Sequence, residues 1–170
     1  MSKIQISGPY FEDFKVGEYL EDPPSVTVTE GHAVMHQALF GDRLRLPLDR
    51  HLCEKVTGSA TALVNPGLLC NTVIGQTTYA SQMVKANLFY RGLIIKLPVY
   101  IGDSLYTRTK VVALKQNKPK PGRAATGVVA LEMVVNNQHG DEVMKFWRCP
   151  MIPCRDPQAE TGHADALDIM

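Results

Sequence analysis

The chain has 170 residues, of which 45% are hydrophobic and 21% are charged, a composition typical of one globular domain with a buried hydrophobic core. Eighteen Lys and Arg residues against 17 Asp and Glu residues leave a formal net charge of +1. A charge this close to zero excludes a strong overall attraction to nucleic acid or to an anionic membrane, so any anion-binding site must be local.

The cysteines and the N-terminal sequence favour a cytoplasmic protein. The sequence MSKIQISGPYFEDF has no basic segment followed by an apolar core and a cleavage site, and no apolar run approaches the roughly 20 residues of a membrane span. The cysteines have neither the spacing of a disulfide framework nor that of a CxxC pair, so we expect four reduced thiols, at Cys53, Cys70, Cys149 and Cys154.

Two helices are predicted in the first half of the chain. The segment TEGHAVMHQALF begins with Thr29 as a candidate N-cap, has Glu30 in its first turn and ends before Gly41. The segment NPGLLCNTVIGQTTYASQM, residues 65–83, begins with Asn-Pro-Gly, and its apolar residues do not alternate as in a half-exposed strand. We interpret it as a buried central helix, and the segment between the two helices as an irregular loop.

The second half of the chain predicts an antiparallel sheet. Turn-rich segments such as QNKPKPGR and NNQHGD separate four runs rich in β-branched and aromatic residues, at 84–90, 104–114, 125–136 and 142–150. These spacings indicate a meander with hairpin-like connections. Residues 155–170 have no apolar period and predict a mobile tail, so we expect a single domain over residues 1–154. One buried helix wrapped by one curved sheet is the α+β hotdog fold.

The order of several short segments resembles a known family. The segments are YFEDFKVGE (10–18), TVTEG (27–31), LFGD (39–42), NPGLL (65–69), YRGLIIKLPVYIGDSL (90–105) and NNQHGDEV (136–143). Together they resemble the MaoC-like hotdog acyl-CoA hydratases and dehydratases. The form FEDFKVGE…TVTEG…LKQN…NQHG…W-R is more similar still to the N-terminal half of the two-hotdog mesaconyl-CoA (2-methylfumaryl-CoA) hydratases.

The resemblance implies a lyase that adds water to, or removes it from, a short or branched 2-enoyl-CoA. It implies no cofactor other than the coenzyme A of the substrate. It also implies a homodimer or larger assembly, with a hetero-oligomer as the alternative.

The family's hydratase signature, G-D-x-N-P-x-H-x-D, is incomplete in this chain. In the signature, the Asp and His hold the water that adds to the conjugated thioester. Laid on the chain from Gly41, it matches Asp42 and Asp49, but Pro47 stands at the position of the catalytic His. A shifted register leaves His51 as the replacement, so the resemblance implies Asp42 and His51 as the catalytic pair.

The start of the central helix supplies a third candidate. The family polarises the thioester carbonyl with a backbone amide there, because negative charge develops on that oxygen. The family's A-H-G-M motif reads Asn65-Pro66-Gly67-Leu68, so the resemblance implies Gly67 as this catalytic residue.

Further candidates concern binding. We assign contacts with the substrate to Asp49, Asn65, Gln76, Tyr90 and Arg91. For Arg91 the reason is that its guanidinium can bind a substrate carboxylate through two hydrogen bonds. The basic segment LKQNKPKPGR offers charge-assisted contacts to the coenzyme A phosphates from Lys118, Lys120 and Arg123.

Structural alternatives stand beside these assignments. Asp42 also suits a loop-stabilising acid, and His51 also suits the surface of a short helix. His32 and His36 have the i, i+4 spacing of a helical metal pair, but without a third ligand we expect no metal site.

Two alternative functions are known for hotdog domains. A hotdog subunit that has lost its catalytic pair would bind acyl-CoA and pair with or regulate another enzyme. Thioester hydrolysis is disfavoured, because residues 68–83 contain no Asp or Glu.

Overall fold

A computed structural model of the chain describes residues 8–20, 23–160 and 164–166. The first half is mainly helical, with a 3-10 turn (Phe11–Asp13), strand β1 (Val26–Thr27), helices α1 (Glu30–Phe40), α2 (Arg45–Leu48), α3 (Arg50–Thr57) and α4 (Pro66–Gln76), and a second 3-10 turn (Thr77–Ser81). The second half contains strands β2 (Ala86–Ile95), β3 (Ser104–Gln116), β4 (Thr126–Asn136), β5 (Glu142–Pro153) and β6 (Ala164–Asp165).

The helix predicted at the start of the chain is confirmed as α1, and the predicted central helix is confirmed over Pro66–Gln76. Its predicted extension to residue 83 is wrong, because Thr77–Ser81 form a 3-10 turn. Local chemistry explains the ends of α1. Thr29 Oγ1 accepts a hydrogen bond from the His32 amide, and His32 Nδ1 accepts one from the Thr29 amide, so α1 begins with a reciprocal cap. Gly41 ends α1 in the left-handed conformation, at φ 59°, which favours glycine. The loop predicted between the two long helices is wrong in part, because α2 and α3 form within it.

The strand order is β1-β3-β4-β5-β2, and all described pairings are antiparallel. The meander is confirmed for β3, β4 and β5, which the connections at residues 117–125 and 137–141 join in sequence order. It is wrong for β2, which pairs with β5 at the far side of the sheet. The connection after β2 returns across the molecule and bonds to the segment before α4, from the Val64 amide to the Val99 carbonyl oxygen at 2.8 Å.

Helix α4 packs into the curved sheet and forms the core with it. Leu68, Leu69 and Val73 of α4 belong to the same buried cluster as Leu131 of β4 and Phe146 of β5. The mostly apolar surface of α4 is therefore explained by burial on the inner face of the sheet.

The polar side chain of Gln76 fixes the C-terminal end of α4. Gln76 Nε2 donates to the carbonyl oxygens of Pro24 and Leu105, at 2.9 and 3.1 Å, and Thr107 Oγ1 donates to Gln76 Oε1 at 2.9 Å. These bonds satisfy a buried amide and link the helix to β3.

The described part of the predicted tail contacts the domain. The Pro157 carbonyl oxygen accepts from the Ala125 amide, and the Ala159 carbonyl oxygen accepts from Gln116 Nε2, both at 2.8 Å. Strand β6 pairs with β3. The mobility of residues 155–170 stays a prediction, and residues 161–163 and 167–170, like residues 1–7 of the N-terminal sequence, lie outside the described residues.

All four cysteines are free, as predicted. Burial raises the pKa of the Cys149 and Cys154 thiols to about 11. None of the helices in the described part of the chain has the length and hydropathy of a membrane span.

Strand β2 forms an open edge of the sheet. Within the described residues its one strand partner is β5, and nine of its ten residues are exposed. Its exposed apolar side chains are Leu88, Phe89, Tyr90, Leu93, Ile94 and Ile95. A long apolar edge of this kind is uncommon on an isolated domain, because it invites pairing with another chain.

Candidate active site

The N-terminal end of α4 is closed by the side chain of Asn65. Asn65 Oδ1 accepts hydrogen bonds from the amides of Gly67, at 2.6 Å, and Leu68, at 3.4 Å, and Pro66 occupies the first helical position. Asn65 is only 8% exposed, and its buried Nδ2 has no hydrogen-bond partner within the described residues. An unpaired buried donor costs about 1–3 kcal/mol. The Gly67 amide, which is the predicted oxyanion donor, thus forms a hydrogen bond with Asn65 Oδ1 in this structure.

The imidazole of His36 lies beside Gly67. A Cβ atom placed on Gly67 would lie 3.4 Å from His36 Nε2 and 3.0 Å from Asn65 Oδ1. His36 is half-buried on α1, and its ring is tilted against Phe40, with 4.9 Å between the centroids. No hydrogen bond to either ring nitrogen of His36 occurs in the described part of the chain. The sequence predictions assigned no catalytic role to His36.

The incomplete signature forms a turn and the start of a helix. Asp42 is half-buried, and its Oδ1 accepts a hydrogen bond from the Leu44 amide at 2.9 Å. Asp49 is the exposed N-cap of α3, and its Oδ1 accepts from the Leu52 amide at 2.9 Å. Both carboxylates thus have the contacts expected of loop-stabilising acids.

His51 is exposed on α3. Helix α3 is held to α1 by an ion pair between Arg50 and Glu30. The three nearest atoms to the Cβ position of Gly67 belong to Asn65 and His36. The catalytic roles of Asp42 and His51 stay predictions.

Tyr90 and Arg91 lie on opposite faces of the sheet. Tyr90 pairs with Arg148 of β5 on the inner face, and its ring centroid is 6.2 Å from that of Phe146. Arg91 lies on the outer face, with its guanidinium 5.4 Å from the ring centroid of Trp147. A contact of Arg91 with an acyl group beside α4 stays a prediction, but the structure places its side chain on the face away from that helix.

Similarity to known proteins is strong over nearly the whole chain. No protein-family model matches it. It is 34% identical over 170 residues to the beta-methylmalyl-CoA dehydratase of Chloroflexus aurantiacus, covering 99% of this chain and 47% of the relative. It is 31% identical over 155 residues to the mesaconyl-CoA hydratase of Cereibacter sphaeroides, covering 90% of this chain and 43% of the relative. The chain spans about half the length of the curated relatives it matches.

Solved structures agree with this similarity. A Mycobacterium tuberculosis protein with a double hotdog fold matches 94% of this chain and 48% of its own, with a TM-score of 0.87 and 48% identity. A Chloroflexus aurantiacus protein described as a MaoC domain dehydratase matches 94% of this chain and 44% of its own, with a TM-score of 0.82 and 34% identity. The chain is a MaoC-like hotdog domain. The predicted family and the predicted α+β hotdog fold are both confirmed.

The hotdog domain also contains a buried cation that the sequence predictions missed. Arg148 is 2% exposed on the inner face of β5, where its Nε donates to Asn87 Oδ1 at 2.8 Å and its Nη1 donates to Thr77 Oγ1 at 3.2 Å. Burial lowers the pKa of its guanidinium, and Tyr90 acts in the opposite direction. These bonds join the turn after α4 to β2 and β5. The alternation of β5, which points Met144 and Phe146 inward, was the signal for an inward Arg148.

The basic residues assigned to coenzyme A lie together at another end of the MaoC-like domain. The connection between β3 and β4 carries Lys118, Lys120 and Arg123, all exposed, and they line an open cleft of about 1010 Å³. In the described part of the chain none of the three forms an ion pair with a carboxylate. Their contact with coenzyme A phosphates stays a prediction.

Proposed function

We propose that this MaoC-like domain is an acyl-CoA hydratase/dehydratase that acts on a short or branched 2-enoyl-CoA. The observation that carries the proposal is the similarity over 99% of the chain to a dehydratase of a branched acyl-CoA, with Gly67 at the start of the central helix. Coenzyme A belongs to the substrate, and the proposed reaction needs no further cofactor. A cytoplasmic location, expected from the sequence, remains part of the proposal.

The proposed reaction is addition of water to a conjugated thioester. A base removes a proton from water as the oxygen forms a bond to C3, and the electrons of the C2=C3 bond move to give an enolate whose negative charge lies on the thioester oxygen. The protonated base then returns a proton to C2. The net change is the gain of one water, and the reverse sequence is the dehydration.

The start of α4 offers the groups that such an enolate needs. Backbone amides at a helix N-terminus stabilise negative charge. Here the amides of Gly67 and Leu68 donate to Asn65 Oδ1, so a thioester oxygen has to replace this oxygen on at least one of them. The absence of a side chain on Gly67 leaves space for that approach.

We further propose that a second copy of this chain covers the open edge formed by β2. Within the described residues β5 is the one strand that pairs with β2, and the apolar side chains of β2 are exposed. Pairing the β2 strands of two copies in antiparallel fashion would continue the sheet and bury this surface. The double hotdog fold of the twice longer Mycobacterium tuberculosis protein supports such a pair.

Turnover of a panel of 2-enoyl-CoA thioesters tests the activity. The purified full chain is incubated with crotonyl-CoA, tiglyl-CoA and mesaconyl-CoA, and the loss of conjugated thioester absorbance is followed. We expect turnover, fastest with a branched substrate of four or five carbons. The saturated butyryl-CoA, which has no double bond, is the control for non-specific absorbance changes.

The second candidate function is an acyl-CoA-binding subunit that pairs with or regulates another enzyme. Its supporting observations are Pro47 at the position of the catalytic His, the engagement of Asp42 by the Leu44 amide, and the exposure of His51. Binding of butyryl-CoA without turnover of any 2-enoyl-CoA would favour this function over the hydratase.

A further inference from the structure

The signature loop lacks an imidazole, but the loop itself packs against the helix that carries one. Pro47 lines a small cavity of about 250 Å³ together with Ala33 and Val34 of α1. Pro47 has no ionisable group, so it cannot move a proton. His36 lies on α1 between these cavity residues and the end of the helix.

The atoms around Gly67 define a small space with two polar walls. One wall is the carboxamide of Asn65, and the other is the imidazole of His36, whose Nε2 and Cε1 lie 3.4 and 3.6 Å from the Cβ position of Gly67. These are distances of direct contact between heavy atoms, so a Cβ atom on Gly67 would touch both side chains. Glycine is therefore the residue that lets the Asn65 carboxamide and the His36 imidazole both approach the start of α4 without displacement.

An independent observation also indicates a ligand at this place. Only 8% of the surface of Asn65 is exposed, and its Nδ2 lacks a hydrogen-bond partner in the described part of the chain. The two amides that bond to Asn65 Oδ1 fix the carboxamide in this orientation, because the reversed amide would direct a donor at two donors. Buried polar groups are nearly always hydrogen-bonded, so an unpaired donor next to this helix start calls for a partner outside the chain.

We propose that His36 is the catalytic imidazole of the hydratase, in place of the His that Pro47 replaces in the family signature. The inference rests on the proposed hydratase function. His36 Nε2 removes the proton from water as the oxygen bonds to C3, and the resulting imidazolium returns a proton to C2. One imidazole thus performs both proton transfers, and the proton count balances without Asp42 or His51.

The ring of His36 is suited to this role by its surroundings. Contact with Phe40, one turn later on α1, holds the ring, while both nitrogens remain without a hydrogen bond in the described residues. With the proton on Nδ1, the lone pair of Nε2 is available on the side of Gly67. A candidate base has to lie within hydrogen-bond reach of the proton that it removes, and Nε2 of His36 lies at the start of α4, where the proposed function places the thioester.

Substitution of three histidines distinguishes this inference from the sequence hypothesis. We expect His36→Gln to lower kcat on the preferred 2-enoyl-CoA by about 10²- to 10⁴-fold, the range for loss of a general acid-base. His32→Gln, one turn earlier on the same helix, is the matched control and retains kcat within a few-fold. His51→Gln, on α3, tests the competing sequence hypothesis, which requires the larger loss of kcat in this variant. The dissociation constant of butyryl-CoA is measured for all four proteins and is expected to change little.

Chemical rescue provides a readout that a structural role of His36 would not affect. We expect added imidazole to restore turnover by His36→Ala in a concentration-dependent manner, but not to affect His51→Ala. Loss of activity in His51→Gln with full activity in His36→Gln would overturn the inference. Failure of His36→Ala to respond to imidazole, with its butyryl-CoA affinity intact, would also count against it. Absence of turnover by the unsubstituted protein would instead refute the proposed function.

Discussion

The residues at the start of α4 show which parts of a site are local in sequence and which are not. The Asn-Pro-Gly order predicts a helix start, because Asn accepts from the first amides and Pro needs no donor. The structure agrees for Asn65, Pro66 and Gly67. The position of His36 beside Gly67 depends on how α1 packs against α4. The sequence shows only that His36 lies one turn after His32 on the same helix. Periodicity therefore could not place its imidazole beside Gly67.

A methyl group at Gly67 tests the use of the space beside it. Gly67→Ala places Cβ 3.0 Å from Asn65 Oδ1 and 3.4 Å from His36 Nε2, which displaces both groups by a few tenths of an ångström. We expect kcat/KM to fall by about 10- to 100-fold, because small misplacements of catalytic groups are costly. The measurement is turnover of the preferred 2-enoyl-CoA together with thermal unfolding.

Gly75→Ala is the matched control on the same helix. Its Cβ would meet no atom within 4 Å, so activity is retained and the free energy of unfolding rises by about 0.5–1 kcal/mol through helix propensity. Full activity of Gly67→Ala would show that the substrate does not use this space.

At the scale of elements, local turn signals predicted the β3-β4-β5 hairpins, and non-local pairing was missed. The segments QNKPKPGR and NNQHGD carry the Gly, Pro and Asn residues that close short connections, so these hairpins follow from nearby residues. Strand β2 pairs with β5, more than forty residues later, from Ala86 opposite Met151 to Ile95 opposite Met144. The register of two strands this far apart in sequence depends on which side chains are buried on the inner face of the sheet. The hydrophobic pattern of an exposed strand such as β2 does not reveal this.

The outer faces of β4 and β5 are joined by a pH-dependent cluster. Glu132 Oε2 accepts from Trp147 Nε1 at 3.1 Å and lies 2.8 Å from Lys145 Nζ. Burial raises the pKa of the Glu132 carboxyl, but the hydrogen bonds from Lys145 and Trp147 outweigh it, so this pKa lies below its usual value. The stabilisation is present above the unfolded pKa of about 4.3 and is lost as the pH falls through the lower folded value.

We therefore expect Glu132→Gln to lower the free energy of unfolding by about 0.5–1 kcal/mol at pH 7, and the difference to disappear as the pH falls through the lowered folded-state pKa of Glu132. Urea unfolding at several pH values measures this difference. Glu54→Gln is the control, because Glu54 is exposed on α3 and forms no ion pair within the described residues. An equal loss in both variants at every pH would exclude the cluster as its cause.

At the scale of the whole molecule, the sequence predicted an assembly by resemblance, and the structure identifies the surface available for it. The run ANLFYRGLII of β2 is apolar without strict alternation, which by itself is also compatible with a buried strand. Its exposure becomes clear only when β2 is seen at the end of the sheet. The residue pattern therefore predicted an apolar strand, but not that this strand would lie exposed at the edge of the sheet.

A charge on the open edge tests the proposed pair. Ile94 is 53% exposed on β2, so Ile94→Lys introduces a cation where a second copy would bury an apolar side chain. We expect the unsubstituted protein to be a dimer by light scattering at micromolar concentration and Ile94→Lys to be a monomer. Val56→Lys changes a 62% exposed side chain on α3 and should remain a dimer. A monomeric unsubstituted protein, or a dimeric Ile94→Lys variant, would refute pairing through β2.

The stacking of Arg91 on Trp147 gives the protein an internal optical label. Trp147 is the single tryptophan of the chain, so its fluorescence arises from one known place between β2 and β4. The ring contacts a guanidinium from one strand and donates to a carboxylate from the other. Separation of either strand from β5 changes the surroundings of this one emitter, so emission reports the integrity of the sheet beside its open edge without any added dye.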